Sequence, residues 1–592
     1  MNMRLLYICL VFSGLFAYLQ YTQAFCFYYM EQLQLFLFTR QYAVDTLSQI
    51  GGCMTYLSRL IIQFFIYPGV GAFVTALLLT TCIFLMQQIL KRLMPATSFL
   101  LSALPAIALL YLLPDRNYMH QGTWGFVFML AMLWGYTCIP RRKFRFFAGI
   151  AMQLFVYVVA GPVAFLFACL VLVYELFMDP RHGYYFVLLP VSMLGMGYMS
   201  VYGCYTGELR FALLPDAYYD PLVHSGTVKY AWYAALFSLI ISGVLRRRKE
   251  PEGRKAYIGF AFCLLVVGGL IVLFSFPDRN KVDFEQDHYL RNECWDKIIA
   301  SFQRENATIQ SLNILNLALA KQGQLGDRLL DYPQNGSGSL LNSWDHSVGN
   351  AIALSDIYYH IGDIASSQKL AFEGYLSSLQ NGNPRLLQRL VKTNLIFGAY
   401  PVAEKYLNLL EHTYYYKDWA KKYKNYLNDS AVEQDPELGN KRKALSKGGV
   451  YAVSAHLTNV LEQLAINNPD QTIAIQYLAG LYLVNRNLKA FRSLLEKYYH
   501  TEIWPSLSIV HQQAVVALWQ NTPSEWVKRG VSLKVERQFN LFDDDMRRYH
   551  HQPRFREIMY RDHGHTYWYY LMFRSNSLEM TVNNNSNKKK IR

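Results

Sequence analysis

The chain has few charged residues for its size and no cysteine pattern that binds metal. Charged side chains make up 17% of its 592 residues, whereas 53% are hydrophobic. Such a composition is typical of a polytopic membrane protein rather than of a soluble one. The nine cysteines contain no CxxC pair and none follows Cys294, which argues against a disulfide framework and a structural zinc site. Cys26 and Cys53 fall on one loop and are the pair that could form a disulfide.

The sequence also lacks the motifs of soluble enzymes. It contains no glycine-rich phosphate loop, no GxSxG and no HExxH. We therefore predict no cofactor; a divalent metal is compatible with the chain, but no residue set supports one. Histidines 550, 551, 563 and 565 lie in a polar, aromatic region where surface positions are expected. The apolar stretches carry no central Asp, Lys or Arg, which argues against ion-coupled transport.

The formal net charge of +15 would suit a protein that binds nucleic acid. The basic residues of the first half, however, lie between apolar stretches, where they orient helices against the cytoplasmic face of a membrane. The longest basic run covers residues 246–249 and is followed by Arg254, Lys255 and the apolar stretch 256–276. We predict membrane lipids as partners of this half, and no nucleic acid.

The first half, residues 1–276, is predicted to be a transmembrane helical domain. Nine stretches are apolar enough for spans: 5–21, 69–90, 98–114, 124–139, 146–160, 163–178, 184–202, 230–245 and 256–276. Gly161 and Pro162 divide one long stretch into two short helices joined by a tight turn. With the amino terminus in the cytoplasm, the strongly basic loops face inward. The rest of the chain is then predicted to lie in the periplasm of a bacterium, beyond its inner membrane.

Residues 277–582 have the pattern of a helical-repeat domain. Gly326, Gly362 and Gly398 recur at a spacing of 36 residues between apolar helical stretches, and Asn487 occupies the turn of a later unit. The spacing is close to the 34-residue period of tetratricopeptide repeats, which this half resembles. We therefore predict an all-α protein whose membrane domain is followed by an α-solenoid. Residues 414–450 are predicted to be an irregular insertion, and 583–592 a disordered basic tail.

Polar residues gather on the predicted outer loops. The first loop, 22–68, is predicted to form two amphipathic helices separated by Gly51 and Gly52. Carboxylates at this face could act as a general base, and arginines there could hold a phosphate. The alternative is that they are ordinary interfacial charges, which cap helices and meet lipid headgroups. The candidate catalytic residues are Glu31, Asp45 and Asp115, and the candidate substrate-binding residues are Arg40, Arg116, His120 and Arg210.

An acid follows the first span closely, and the sequence GGCMTYLSRLIIQFFIYPGVGA comes after it. This arrangement resembles the GT-C class of membrane glycosyltransferases. The resemblance implies a polyprenyl-phosphate sugar as donor and a catalytic acid in the first loop. By position that acid is Glu31, with Asp45 second. This class often has two adjacent acids, whereas this chain has Glu31 followed by Gln32. The whole chain resembles an uncharacterised family of bacterial integral membrane proteins.

Two functions follow from these patterns. The protein is either a glycosyltransferase-like enzyme of cell-envelope glycan assembly, whose repeats position the acceptor, or a non-enzymatic scaffold. In the second case the repeats bind a periplasmic protein partner, as repeat arrays commonly do.

Overall fold

The computed structural model describes residues 3–93, 101–140, 142–204, 207–221, 223–247, 278–378, 382–445, 457–469 and 472–573. Within these ranges the chain forms helices and turns and no extended strand, which confirms the all-α prediction. The chain divides into two compact units. The first comprises residues 1–281 and 412–415, and the second comprises 282–411 and 416–592. The predicted boundary at 276–277 and the predicted tail 583–592 lie outside the described residues.

The first unit is built from twelve described α-helices. They are α1 (Met3–Thr22), α2 (Ala24–Leu33), α3 (Arg40–Leu47), α4 (Gly52–Ile62), α5 (Val70–Leu93), α6 (Leu104–Leu112), α7 (Gln121–Thr137), α8 (Arg142–Ala160), α9 (Val163–Met178), α10 (Leu188–Cys204), α11 (Leu209–Leu213) and α12 (Tyr230–Arg247). Short 3-10 helices cover Gln63–Ile66, Gly183–Val187, Pro215–Tyr218 and Thr227–Lys229.

Three helices among the described residues are long and apolar enough to cross a membrane: Val70–Leu93, Gly183–Gly203 and Thr227–Arg246. The pair Leu6–Thr22 and Ala24–Leu33, bent by 76°, would make a fourth. The predicted spans 146–160 and 163–178 coincide with shorter apolar helices, Phe144–Ala160 and Val163–Met178. The predicted span 256–276 lies outside the described residues.

The break predicted at Gly161 and Pro162 is confirmed. Helix α8 ends at Ala160 and α9 begins at Val163, while Gly161 takes a φ of +78°. At the other end of α9, Glu175 is buried and accepts hydrogen bonds from the Tyr136 hydroxyl (3.0 Å) and from Arg145 Nη1 (3.2 Å). Both partners compensate the burial of that carboxylate.

The first loop, residues 22–68, contains three α-helices (α2, α3 and α4), whereas the sequence predicts two; the predicted break at Gly51 separates α3 from α4. Residues 34–38, between α2 and α3, are not helical, and α3 begins at Arg40. The Thr39 side chain accepts a hydrogen bond from the backbone N–H of Tyr42 (3.2 Å) and caps this helix.

The second unit is also helical throughout its described part. Its helices are α13 (Asp278–Arg291), α14 (Trp295–Ser301), α15 (Ile309–Lys321), α16 (Leu325–Arg328), α17 (Val348–Ile361), α18 (Ile364–Ser377), α19 (Pro384–Phe397), α20 (Tyr400–Glu411), α21 (Lys417–Lys424), α22 (Asp429–Gln434), α23 (Pro436–Lys443), α24 (Leu457–Asn467), α25 (Ile473–Val484), α26 (Leu488–Tyr498), α27 (Ile509–Leu518), α28 (Pro523–Lys528), α29 (Leu533–Tyr549), α30 (Phe555–His563) and α31 (Tyr567–Phe573). Leu315, Leu354 and Leu478 lie in its largest apolar core.

Two of the three predicted glycine turns are confirmed. Gly362 (φ +107°) ends α17 and Gly398 (φ +74°) ends α19, in left-handed conformations that favour glycine. The prediction of a turn at Gly326 is wrong, because Gly326 lies within α16 and the turn forms at Gly323 (φ +70°). Asn487 begins α26, where its side chain accepts from the N–H of Ala490 (3.1 Å).

The prediction of an irregular insertion at 414–450 is wrong for its described part. Helices α21, α22 and α23 occupy this region. The lysine- and tyrosine-rich sequence forms a helix because its aromatic side chains contact each other: Trp419 and Tyr423, one helical turn apart, stack with ring centroids 4.0 Å apart. Asp435 accepts from the N–H groups of Glu437 and Leu438 and caps α23.

Candidate functional site

Glu31, the acid placed first by the sequence, lies on α2 and is only 2% exposed. Helix α2 packs closely on α5, because Gly71 of α5 leaves room for the Phe27 ring. The Phe27 ring also makes an edge contact with Phe65 (5.5 Å between centroids). Glu31 is therefore part of the packed interior of the first unit rather than an open surface.

Asp115, by contrast, is partly exposed and is held in place by two donors. The N–H of Asn117 donates to Oδ1 (3.0 Å) and the hydroxyl of Tyr219 donates to Oδ2 (2.7 Å). Burial and the hydrogen bond to Asp115 raise the pKa of Tyr219 to about 12, so this hydroxyl keeps its proton at neutral pH. The carboxylate is oriented and still reachable, as a general base must be.

The segment that carries Asp115 and His120 pairs with the chain around Tyr219. An isolated antiparallel bridge joins Tyr118 and Tyr219, and the N–H of Met119 donates to the carbonyl of Tyr218 (2.9 Å). The Tyr218 hydroxyl in turn donates to the carbonyl of Ala160 (2.6 Å), beside the turn between α8 and α9. The segment around Asp115 and the segment around Tyr219, which lie far apart in the sequence, therefore form one structure.

His120 is 1% exposed, and its Nε2 lies 3.2 Å from the Thr75 hydroxyl of α5. Its ring makes an edge contact with Phe65 (5.6 Å between centroids). The Cys26 thiol of α2 donates to the carbonyl of Leu113 (3.2 Å), two residues before Asp115. These contacts join the helix of Glu31 to the segment of Asp115 and His120. Cys26 and Cys53 are both free thiols.

The other candidate residues make contacts of their own. Asp45 is exposed and accepts from Gln41 of the same helix (2.9 and 3.1 Å), and Arg40 is exposed at the start of α3. Arg210 pairs with Glu208 (2.7 Å) and contacts His224 in its own loop. Arg116 is partly exposed beside Asp115. Among the candidates, the structure thus groups the elements that carry Glu31, Asp115, Arg116 and His120.

No pattern in the sequence marks the tyrosines that build this group. Tyr218 and Tyr219 give no motif, because their partners, Ala160 and Asp115, are 58 and 104 residues away. Arg59 is a further residue that the sequence does not mark. It is buried on α4, and its Nη1 lies 3.5 Å from the Tyr42 hydroxyl. An arginine and a glutamate buried in the same apolar unit are costly to place there, which favours a role for both.

Groups of three or more potential metal ligands do not occur within the described part of the chain. His563 Nε2 donates to the Asp545 carboxylate (2.9 Å) within the second unit. Neither a curated protein nor a solved structure matches this chain. A family model described as "Family of unknown function (DUF6057)" matches residues 1–574. The chain therefore belongs to the DUF6057 family.

Proposed function

We propose that this protein is an enzyme of the bacterial inner membrane that transfers a sugar from a polyprenyl-phosphate donor during cell-envelope glycan assembly. Its amino terminus would be cytoplasmic and its second unit periplasmic. The three to four long apolar helices and the basic residues between apolar stretches support the membrane location. We propose nine spans in all, in which the shorter helices cross by local thinning of the bilayer.

The observation that carries this proposal is the positioned, partly exposed carboxylate of Asp115. Asp115 would remove the proton of the acceptor hydroxyl as that oxygen attacks the sugar. Arg116, the next residue, would bind the phosphate of the lipid carrier, to which its guanidinium geometry is suited. The buried Glu31 would be a second acid, reached when substrate separates α2 from the Asp115 segment. The periplasmic unit, which we propose is a tetratricopeptide-like solenoid, would bind the acceptor.

The isosteric variants Asp115→Asn and Glu31→Gln test this role. We expect Asp115→Asn to abolish the surface glycan, measured by mass spectrometry of envelope extracts, while the protein level in the membrane is unchanged. Glu31→Gln should reduce it as well. Asp543→Asn, an equally conservative change at an exposed pair with Arg547, is the matched control. A normal glycan profile in both site variants would refute the transferase.

A second candidate function, a scaffold, is favoured by apolar side chains on the surface of the second unit. Phe372 and Leu376 of α18 are 45% and 66% exposed, and Val402 of α20 is 43% exposed. Helical-repeat arrays commonly use such faces to bind proteins.

A photo-crosslinking amino acid at Leu376 tests the scaffold. If the protein is a scaffold, one periplasmic protein should be captured stoichiometrically from Leu376 and not from Lys497, an exposed position on α26. Equal labelling from both positions, or none from Leu376, would contradict it.

A further inference from the structure

Cations in the second unit surround one buried tyrosine. The ring of Tyr359, which is 1% exposed, has the guanidinium carbon of Arg389 3.6 Å from its centroid and the ammonium of Lys441 at 4.3 Å. Lys392 approaches the same ring at 5.7 Å. The carboxylate of Glu437 accepts hydrogen bonds from the Tyr359 hydroxyl (2.6 Å) and from Lys392 (2.9 Å).

A fourth cation lies on the neighbouring aromatic rings. The Trp295 ring packs edge-on against His360 (5.1 Å between centroids), and the ammonium of Lys321 lies 5.7 Å from the Trp295 ring. The nearest carboxylate to His360 is Glu293, 4.0 Å away and 59% exposed. The cations around the Tyr359 and Trp295 rings therefore outnumber the carboxylates that could neutralise them.

The remaining charges nearby are already balanced. Asp356 accepts from Arg385 and from Arg389 Nη2 (2.7 Å), and Asp287 accepts from Arg385 (2.8 Å). This network occupies Nε and Nη2 of Arg389, but Nη1 is buried and has no hydrogen-bond partner. A buried guanidinium nitrogen without an acceptor is costly, and a bound anion would remove that cost.

The lowered pKa values of Lys441 and His360 agree with an excess of positive charge around Tyr359. Burial, together with the nearby charges of Lys321 and Arg389, lowers the pKa of Lys441 to about 7. Burial also lowers the pKa of His360 well below its ordinary value, with contributions from Lys321, Arg389, Lys441 and Lys392. Both groups would be easier to protonate if an anion lay among them.

We propose that Lys321, Arg389 and Lys441 form a binding site for the phosphate group of a ligand, which is either a soluble molecule or a lipid. Three cations around the Tyr359 and Trp295 rings, with one guanidinium nitrogen that has no acceptor, suit a doubly charged oxyanion. The site reaches the surface, since Lys392 and Glu437 at its edge are 21% and 40% exposed. It is separate from the proposed transfer site, and its existence does not depend on that reaction.

Inorganic phosphate and the full-length protein in detergent provide the first test. Calorimetric titration against chloride at equal ionic strength should detect saturable binding to the wild type. We expect Lys321→Gln and Lys441→Met each to weaken it at least tenfold, while Lys497→Gln, an exposed lysine paired with Glu462, leaves it unchanged. Sulfate, whose charge is constant between pH 6 and 9, should bind more weakly as Lys441 loses its proton across that interval. Sulfate affinity independent of pH would overturn the role of Lys441.

Vesicles separate the two sources of phosphate. Binding to phosphatidylglycerol vesicles, absent with phosphatidylcholine and lost in the same two variants, would identify the ligand as a lipid. Phosphate binding without vesicle binding would identify a soluble ligand. If all variants bind phosphate and vesicles as the wild type does, the site does not exist. Native mobility in size-exclusion chromatography confirms that the variants are folded.

Discussion

The substitution Arg385→Met is expected to lower the free energy of unfolding of the second unit by about 3–5 kcal/mol. The Arg385 side chain is 6% exposed, as are Asp287 and Asp356, the two carboxylates it joins. Removal of the guanidinium would leave Asp287 without the hydrogen bond from Nη1 (2.8 Å) and Asp356 with Arg389 alone. A buried charge that loses its partner destabilises far more than a surface pair contributes.

The loss should depend on pH in a defined direction. Burial opposes the ionisation of Asp356, but the charges of Arg385 and Arg389 outweigh it and hold its pKa below the ordinary value. A carboxylate with a lowered pKa contributes stability above its unfolded pKa of about 4, and this contribution is lost as the pH falls through the folded pKa. The difference between wild type and Arg385→Met should therefore be largest near neutrality and shrink below about pH 4.

Hydrogen exchange of the amides in α17 and α19 measures this difference without requiring the first unit to unfold. The matched control is Arg492→Met, which removes an arginine whose pair with Glu496 is about half exposed. Its expected cost is at most about 0.5 kcal/mol. Equal protection of α17 and α19 in the two variants would show that the buried network is not needed for stability.

Local signals in the sequence predict the ends of helices well. Gly362 and Gly398 both adopt positive φ values at helix C-termini, where glycine avoids the steric cost of a side chain. Gly326 misleads because it has the 36-residue spacing but does not form a turn: a Cβ there would lie 2.5 Å from the Ser508 hydroxyl oxygen. Its smallness serves close packing rather than a turn, and a single sequence does not distinguish these two uses.

Long-range polar contacts are the part that the sequence does not predict. Arg385 and Asp287 are 98 residues apart, and Tyr219 and Asp115 are 104 apart, so no periodicity links them. The sequence offers Glu31 and Asp115 as candidate acids, but it does not predict that Glu31 is 2% exposed while Asp115 remains partly exposed. Exposure depends on how α2 packs against α5, which follows from the size of Gly71 and the position of Phe27.

The substitution Gly51→Ala is expected to destabilise the first unit by about 2–4 kcal/mol. Gly51 has a φ of +76°, and its N–H donates to the carbonyl of Val158 (3.0 Å) at the end of α8. A Cβ at this position would lie 3.1 Å from the backbone nitrogen of Gly161 and 3.2 Å from the carbonyl carbon of Ala160. Because both neighbours are backbone atoms, the first loop must shift away from the turn between α8 and α9.

Gly14→Ala is the matched control, since the space around Gly14 within α1 holds no atom within 4 Å of the added Cβ. Alanine favours a helix over glycine by up to about 1 kcal/mol, so this variant should be neutral or slightly more stable. The midpoint temperature of unfolding in detergent should therefore fall for Gly51→Ala and stay the same or rise slightly for Gly14→Ala, although both variants replace glycine by alanine. The Ala160 carbonyl also accepts from Tyr218, whose neighbour Tyr219 orients Asp115. If Asp115 is the catalytic base, Gly51→Ala should therefore also lower glycan formation. Equal unfolding temperatures for Gly51→Ala and Gly14→Ala would show that the first loop does not hold the turn between α8 and α9.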